Sequence, residues 1–237
     1  MANIVTLDSQ AHRHLRVKAG PSASLGDAQR FAPVVPSEFT QMATACPLFL
    51  SKDADTGAFY CGAMLGFDEG ENLFLDDDDG YHGHRPLSLQ RMPFYISGPD
   101  LGIDLDHPRL GGADGVAVFD ADGKPTAYLE RVIASFRDLR AGQEQARVFI
   151  ETLLEHDLVE AVDLDIAFDD GAHHHIRGLY TINRQSLDGL GDAVVVELFR
   201  RGYLLLIHAM LVSQKQLPSL IERRNARKLR ASAGLRF

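Results

Sequence analysis

Read from the N-terminus, the pattern of apolar and polar positions changes twice. Residues 1–30 are polar and mixed, and predict a short strand or ragged arm followed by a loop. "RFAPVVPSEF" is extended, because its prolines through Pro36 forbid a helix. "SEFTQMATACP" predicts a short helix that Ser37 caps and Pro47 stops. Then come short apolar runs, "PLFLSK", "AFYCGAMLGF", "NLFLD", "PLSLQRMPFYIS" and "DGVAVFDADGKPTAYL", separated by Gly, Asp and Pro clusters. They read as strands of a mostly antiparallel meander with one helix against it.

Helical spacing takes over near residue 125. Leu129, Val132, Ile133 and Phe136 form one stripe, and Val148, Phe149, Leu153 and Leu154 another. "AGQ" between them predicts a break and a helical hairpin. "EAVDLDIAFDDGAHHHIRGLYTIN" alternates about "DDG" and predicts a β-hairpin. "SLDGLGDAVVVELFRRG" is a helix ended by Gly202. "YLLLIHAMLVSQKQLPSLIERR" is a buried strand or helix leading into a basic terminal helix. No internal repeat or low-complexity linker is present. The fold class is α+β, with the meander and one short helix in the N-terminal half and the helical hairpin, β-hairpin and further helices in the C-terminal half. The organisation expected is an arm over 1–30, one domain over 31–221 with a possible subdomain boundary near 125, and a basic tail over 222–237.

Composition and charge narrow the function classes. The chain has 237 residues, 45% hydrophobic and 24% charged, enough for a sizeable core and too apolar for wholesale disorder. A net charge of −9 disfavours nucleic acid as a partner. The charge is uneven: Arg223, Arg224, Arg227, Lys228, Arg230 and Arg236 against Glu222 give residues 222–237 a local +5, so the rest carries −14 of the chain's −9. Those cations are either a solvated helix end or a docking tail for an acidic protein or a membrane surface, with Arg223, Arg224, Arg227, Lys228 and Arg230 as the contact residues. No export signal opens the chain, which points to the cytoplasm. The longest apolar run, "YLLLIHAMLV", is half the roughly 20 residues a spanning helix needs. Cys46 and Cys61 are expected as reduced thiols, because a turn near Asp55-Thr56-Gly57 sets Cys61 opposite Leu50 or Ser51.

Three stretches resemble sites. Asp76 to Asp79 run into His82 and His84, but with Gly80 at the sixth place of a calcium loop, Leu75 and Pro86 fall where acids belong. Two histidines are too few for zinc, so the stretch reads as the charged end of a hairpin. In "DDGAHHHIRGLY", a two-residue Asp170-Gly171 turn would set Phe168 opposite His173 and Ile166 opposite His175. His173 and His175 would then share the apolar face and His174 would point away with Ala167. Two imidazoles with Asp169 make a conceivable metal site, and an exposed tip is the favoured reading. His156 ends a helix, where an imidazolium opposes the dipole favourably. His208 interrupts the most apolar run and is expected as a buried, hydrogen-bonded structural group. No dinucleotide, phosphate-loop, nucleophile-elbow or Cys-x-x-Cys motif appears, so no catalytic residue, metal or cofactor is assigned.

Several blocks, in order, resemble the SapC family of bacterial proteins: "FAPVVPSEFTQMATACPLFL", "MLGFDEGENLFLDDDDG", "RPLSLQRMPFYI", "GLYTINRQSLDGL" and "ELFRRGYLLLIHAMLVSQKQLPSLIERR". Pro33, Pro36, Glu38 and Phe39, then Glu71-Asn72-Leu73-Phe74, then Arg91, Pro93 and Phe94, then Gly178-Leu179-Tyr180, and finally His208 carry the match. The family often has Trp after the acidic turn, where this Trp-free chain has Tyr81 nearest. The resemblance implies an association with surface layers and gene neighbourhoods of outer-membrane receptors, halogenase-like proteins and iron-dependent hydroxylases. The permease label some members carry needs long apolar spans, which this chain lacks. The leading expectation is a soluble, cytoplasmic, non-catalytic binding or accessory protein whose partner belongs to a surface-layer, receptor or halogenase system. The rival is an oxygenase- or transferase-like enzyme whose small-molecule pocket gathers Glu38, Asn72, Arg91 and His208. Oligomeric state is left open.

Overall fold

A computed structural model of the chain describes residues 3–76, 80–97, 100–112 and 114–234. Its strands are β1 (Ile4–Thr6), β2 (Arg16–Val17), β3 (Phe31–Pro33), β4 (Leu48–Lys52), β5 (Phe59–Met64), β6 (Phe94–Ser97), β7 (Asp100–Asp104), β8 (Val116–Ala117), β9 (Val159–Ala167) and β10 (His173–Ile182). Its helices are α1 (Phe39–Met42), α2 (Leu87–Gln90), α3 (Ala127–Glu155), α4 (Arg184–Asp188), α5 (Asp192–Arg200), α6 (Tyr203–Ser213) and α7 (Leu217–Ser232). The strands pair antiparallel and several helices accompany them, an α+β fold.

The chain divides into two compact units. One unit takes the residues up to Ala28 together with Phe74–Ala141. It holds a three-stranded sheet, β1-β7-β6, and the short pair β2-β8. Its core gathers Val17, Phe94, Ile103, Val118, Leu129, Val132 and Phe136. Of the two readings of the N-terminal segment, the short strand is the one found: Ile4, Val5 and Thr6 pair with Asp104, Ile103 and Gly102. In "PLSLQRMPFYIS" the first half is α2 and only Phe94 onward is strand. "NLFLD" supplies a single bridge, Leu75 to Tyr81, instead of a strand.

The other unit takes Gln29–Leu73 and the residues from Gly142. Its sheet runs β3-β5-β4-β10-β9, so β4 from the first half lies beside β10 from the second. Phe39, Leu48, Phe49, Phe149, Leu153, Ile182 and Ile207 are among its buried residues, with Phe39 edge-on to Phe149 at 6.2 Å. α6 settles on this sheet with a specific tie, in which the Ser213 hydroxyl accepts from the Leu48 amide at 2.9 Å. In β4–β5, Leu50 pairs with Cys61, as the turn required. Both cysteines are buried and reduced, and burial pushes each thiol up to about 12. Ser37 does not cap the turn before α1; the Glu38 carboxylate does, accepting from the Val35 amide at 3.0 Å.

The helical hairpin is overturned. α3 is one helix of 29 residues, and its buried positions Leu129, Val132, Phe136, Leu139, Gly142, Ala146, Phe149 and Leu153 stay in phase straight through "AGQ". Gly142 is there for contact, because a Cβ on it would stand 2.6 Å from Val35 Cβ. The close approach explains a glycine that otherwise weakens a helix. The chain passes from one unit to the other at Ala141–Gly142, within α3.

The β9–β10 hairpin forms where expected but closes differently. Phe168 N–H bonds to the Ala172 carbonyl, and Gly171 takes φ +81°, a three-residue loop whose last member is left-handed. Near the tip His174 therefore pairs with Ile166, one residue off the expected register. A bulge between Ile176 and Leu179, at Gly178 with φ +79°, restores it.

Candidate functional site

The four residues proposed for a pocket are divided between the two units, Glu38, Asn72 and His208 in one and Arg91 in the other. Glu38 is buried and spent on capping its own turn. Asn72 is buried too, and its main-chain carbonyl accepts from Arg227 Nη1 at 2.9 Å. Arg91 belongs to the other unit, where its Nη1 donates to the Phe94 carbonyl at 2.7 Å and its guanidinium lies 4.8 Å from the Tyr95 ring centre. Burial pulls that guanidinium below its ordinary value, and Tyr95 opposes the shift. His208 is exposed, not buried: Ile207, Met210 and Leu211 take the inner face of α6, and the helical turn leaves position 208 outside. Its Nδ1–H donates to the Leu204 carbonyl at 2.6 Å. A cavity of about 160 Å³ on the five-stranded sheet is lined instead by Arg30, Tyr60, Met64, Arg177 and their neighbours.

The apparent metal sites resolve into pairs. Asp76 N–H bonds to the Gly80 carbonyl and His82 N–H to that of Phe74, which makes the end of a hairpin, while Asp77 to Asp79 lie outside the described residues. His82 Nε2 sits 2.5 Å from Asp76 Oδ1. On the other hairpin the shifted register inverts the expected faces. His174 packs edge-on against Phe168 at 5.1 Å and lies 3.3 Å from Asp68, whereas His173 and His175 face solvent and His175 pairs with Asp165. Among the described residues no group of three or more His, Cys, Asp or Glu is arranged to hold a metal ion.

Two features escaped sequence reasoning. The first is a buried charge cluster in the unit that holds β1, β6 and β7. Asp27 is fully buried and takes Arg85 at 2.7 Å on one oxygen and Arg109 at 2.5 Å on the other, where the Ser22 amide also donates at 2.8 Å. Arg109, 1% exposed, further donates to the carbonyls of Lys18 and Gly20, each at 2.7 Å. Burial pulls the Arg109 guanidinium down and Asp27 holds it up. Burial with Arg109 close by lowers His107, and burial raises the Tyr128 hydroxyl. Three residues so distant in sequence leave no local spacing to find.

The second feature concerns the supposed docking tail. Residues 217–232 are an ordered helix, and Arg224 is buried, 2.6 Å from Asp170 Oδ2 and stacked 4.1 Å from the Phe168 ring centre. Arg227 is tied to Asn72 as described. Of the five docking candidates, Arg224 and Arg227 therefore hold the fold, Arg223 is half-buried, and Lys228 and Arg230 stand exposed.

With this architecture in place, the family comparison is decisive. The SapC family model matches residues 7–220, nearly the whole chain. The chain belongs to the SapC family. No curated protein and no solved structure matches it. The SapC match takes in residues of both units and starts inside the segment expected as an arm, just after β1, so that it includes the paired strand β2. It stops within α7, short of the Arg224 and Arg227 ties.

This SapC chain also carries an uncovered apolar face. α6 is apolar on every side, the composition of a helix covered all round. Yet Leu205 is 61% and Val212 55% exposed, and on α5 Phe199 is 71% exposed, with Val195 and Val196 beside it.

Proposed function

We propose that this SapC-family chain is a non-catalytic binding or accessory protein, working in the cytoplasm beside surface-layer or outer-membrane uptake machinery. The observation that carries the reading is how the family-block polar residues are used. Glu38 caps a turn, Arg91 holds a strand carbonyl, and Asn72 receives Arg227. A reaction centre needs such groups convergent on a cavity, with titratable neighbours in reach of one substrate. Here the Glu38 carboxylate and the Arg91 guanidinium each meet main chain close by in sequence, and Asn72 offers its own carbonyl to Arg227. The partner class that follows is another protein of a surface-layer, receptor or halogenase system.

The test pairs stability with ligand content. Glu38→Gln and Arg91→Met should lower the melting temperature, and native mass spectrometry of protein purified from cells without a histidine tag should give the bare chain mass. A stoichiometric ion or organic ligand held by the protein, or turnover lost in a variant that melts like the parent, would overturn the reading.

A further inference from the structure

α5 and α6 are consecutive helices that pack together, joined at Arg201-Gly202. Their outer faces present Val195, Val196, Phe199, Leu205 and Val212 to solvent, a concentration of large exposed apolar side chains on two helices that pack together. Cations flank it: Arg200, Arg201 and Lys215 are exposed at the ends of the two helices. Asp192 and Glu197 are the acids there, and Glu197 is paired with Arg201 at 2.9 Å. The same polarity continues along α7, where Leu229 is 71% exposed between Lys228 and Arg230. Residues 192–232 carry eight basic and three acidic side chains, +5 within a chain of −9, so the remainder carries −14.

Charge decides the occupant. Arg224 and Arg227 are held within the fold, but the exposed cations Arg200, Arg201, Lys215, Lys228 and Arg230 still outnumber Asp192, Glu197 and Glu222, so a second copy seated here by a two-fold axis would set two net-positive surfaces around a low-dielectric contact. An anionic bilayer complements it, taking apolar side chains below the headgroups and arginines and lysines among them. The composition agrees. The ten-residue apolar run is too short to span, but it is continued by α7, and by length and composition alone Tyr203–Ser232 matches a membrane span, with 28% of its most apolar window buried in the protein. A span would strip Ile207, Met210 and Leu220 from the unit that buries them and break the Ser213–Leu48 bond, so the helix lies along the surface instead. We propose that the outer face of α5 and α6, rimmed by Arg200, Arg201 and Lys215, is a peripheral docking surface for an anionic lipid bilayer. This does not depend on whether the protein has an activity.

The chain contains no tryptophan, so Phe199→Trp gives a single reporter at the most exposed apolar position of α5. With vesicles of phosphatidylcholine containing phosphatidylglycerol, its emission should shift to the blue and the protein should float with the lipid. Phosphatidylcholine alone, or high salt, should weaken flotation at least about tenfold, since each basic residue near such a surface contributes roughly fivefold. Phe199→Glu with Leu205→Glu should abolish flotation while the circular dichroism melt stays unchanged. If that pair fails to fold, Arg200→Glu with Lys215→Glu must still cost at least about tenfold. An unshifted tryptophan and no flotation overturn the proposal. So does light scattering that finds a dimer split by the glutamates, or capture of an acidic protein through this face without vesicle binding. Failure here leaves the non-catalytic reading intact, and measured turnover would sink that reading without touching this one.

Discussion

Asp27→Asn tests the buried charge cluster most directly. The substitution keeps the shape and removes one charge. Arg85 and Arg109 then share an interior without a counter-ion, and one former acceptor becomes an amide N–H₂ facing a guanidinium that can only donate. The two cations are not equally affected. The Arg85 side chain is 13% exposed and retains the Leu89 carbonyl, whereas that of Arg109 is 1% exposed and keeps only main-chain carbonyls. Removing one partner of a buried pair costs about 3–5 kcal/mol, and the dry Arg109 places this case near 4. With a urea slope of about 2 kcal/mol per M, the midpoint should fall by about 2 M. The assay is urea melting by far-ultraviolet circular dichroism, with hydrogen exchange at the Ser22 amide, which loses its 2.8 Å acceptor. Arg109→Met in the Asp27→Asn background should recover at least about 1 kcal/mol, because it removes the stranded cation. A midpoint within about 0.5 kcal/mol of the parent, or unchanged exchange at Ser22, refutes the account of a dry, mutually neutralised cluster.

Other expectations follow from single contacts. Gly142→Ala gains about 1 kcal/mol of helix propensity but drives a methyl against Val35, so it should lower stability by about 1–2 kcal/mol net, and a higher melting temperature would refute the packing role. Cys46 and Cys61, pushed from 9.0 to about 12 by burial, should resist a thiol reagent at mild alkaline pH until the protein is unfolded in urea. Because the native thiols keep protons that the unfolded chain releases, urea stability should fall as pH rises past about 9, and a flat profile there counts against their burial. Asp170 is held below the usual carboxylate value, first by the Ala172 amide and then by Arg224. Its contribution is present above an unfolded value of 3.8 and disappears as pH drops through the lower native one, so Asp170→Asn should melt lower at neutral pH and lose less on acidification; identical acid profiles would exclude the pair from the stability balance.

The sequence by itself determined the α+β class, the β4–β5 register and the presence of the β9–β10 hairpin, because each rests on signals a few residues apart. Asp53 shows the scale: its carboxylate accepts from Thr56 within the turn that then sets Leu50 against Cys61. At the second hairpin the outer register also held, and only the tip moved, since one added loop residue is compensated by a bulge at Gly178. Tertiary structure decided the rest. "AGQ" is a break by local propensity and a contact by packing, because only the fold brings Val35 to Gly142. His208 is core-like by the company it keeps in sequence and exposed by helical phase. Asp27, Arg85 and Arg109 are unrelated until folding joins positions 58 and 82 residues apart. Short-range hydrogen bonding and steric preference act along the chain and can be read there. Burial of charge, choice of helix face and strand order depend on free energies that exist only once distant segments meet.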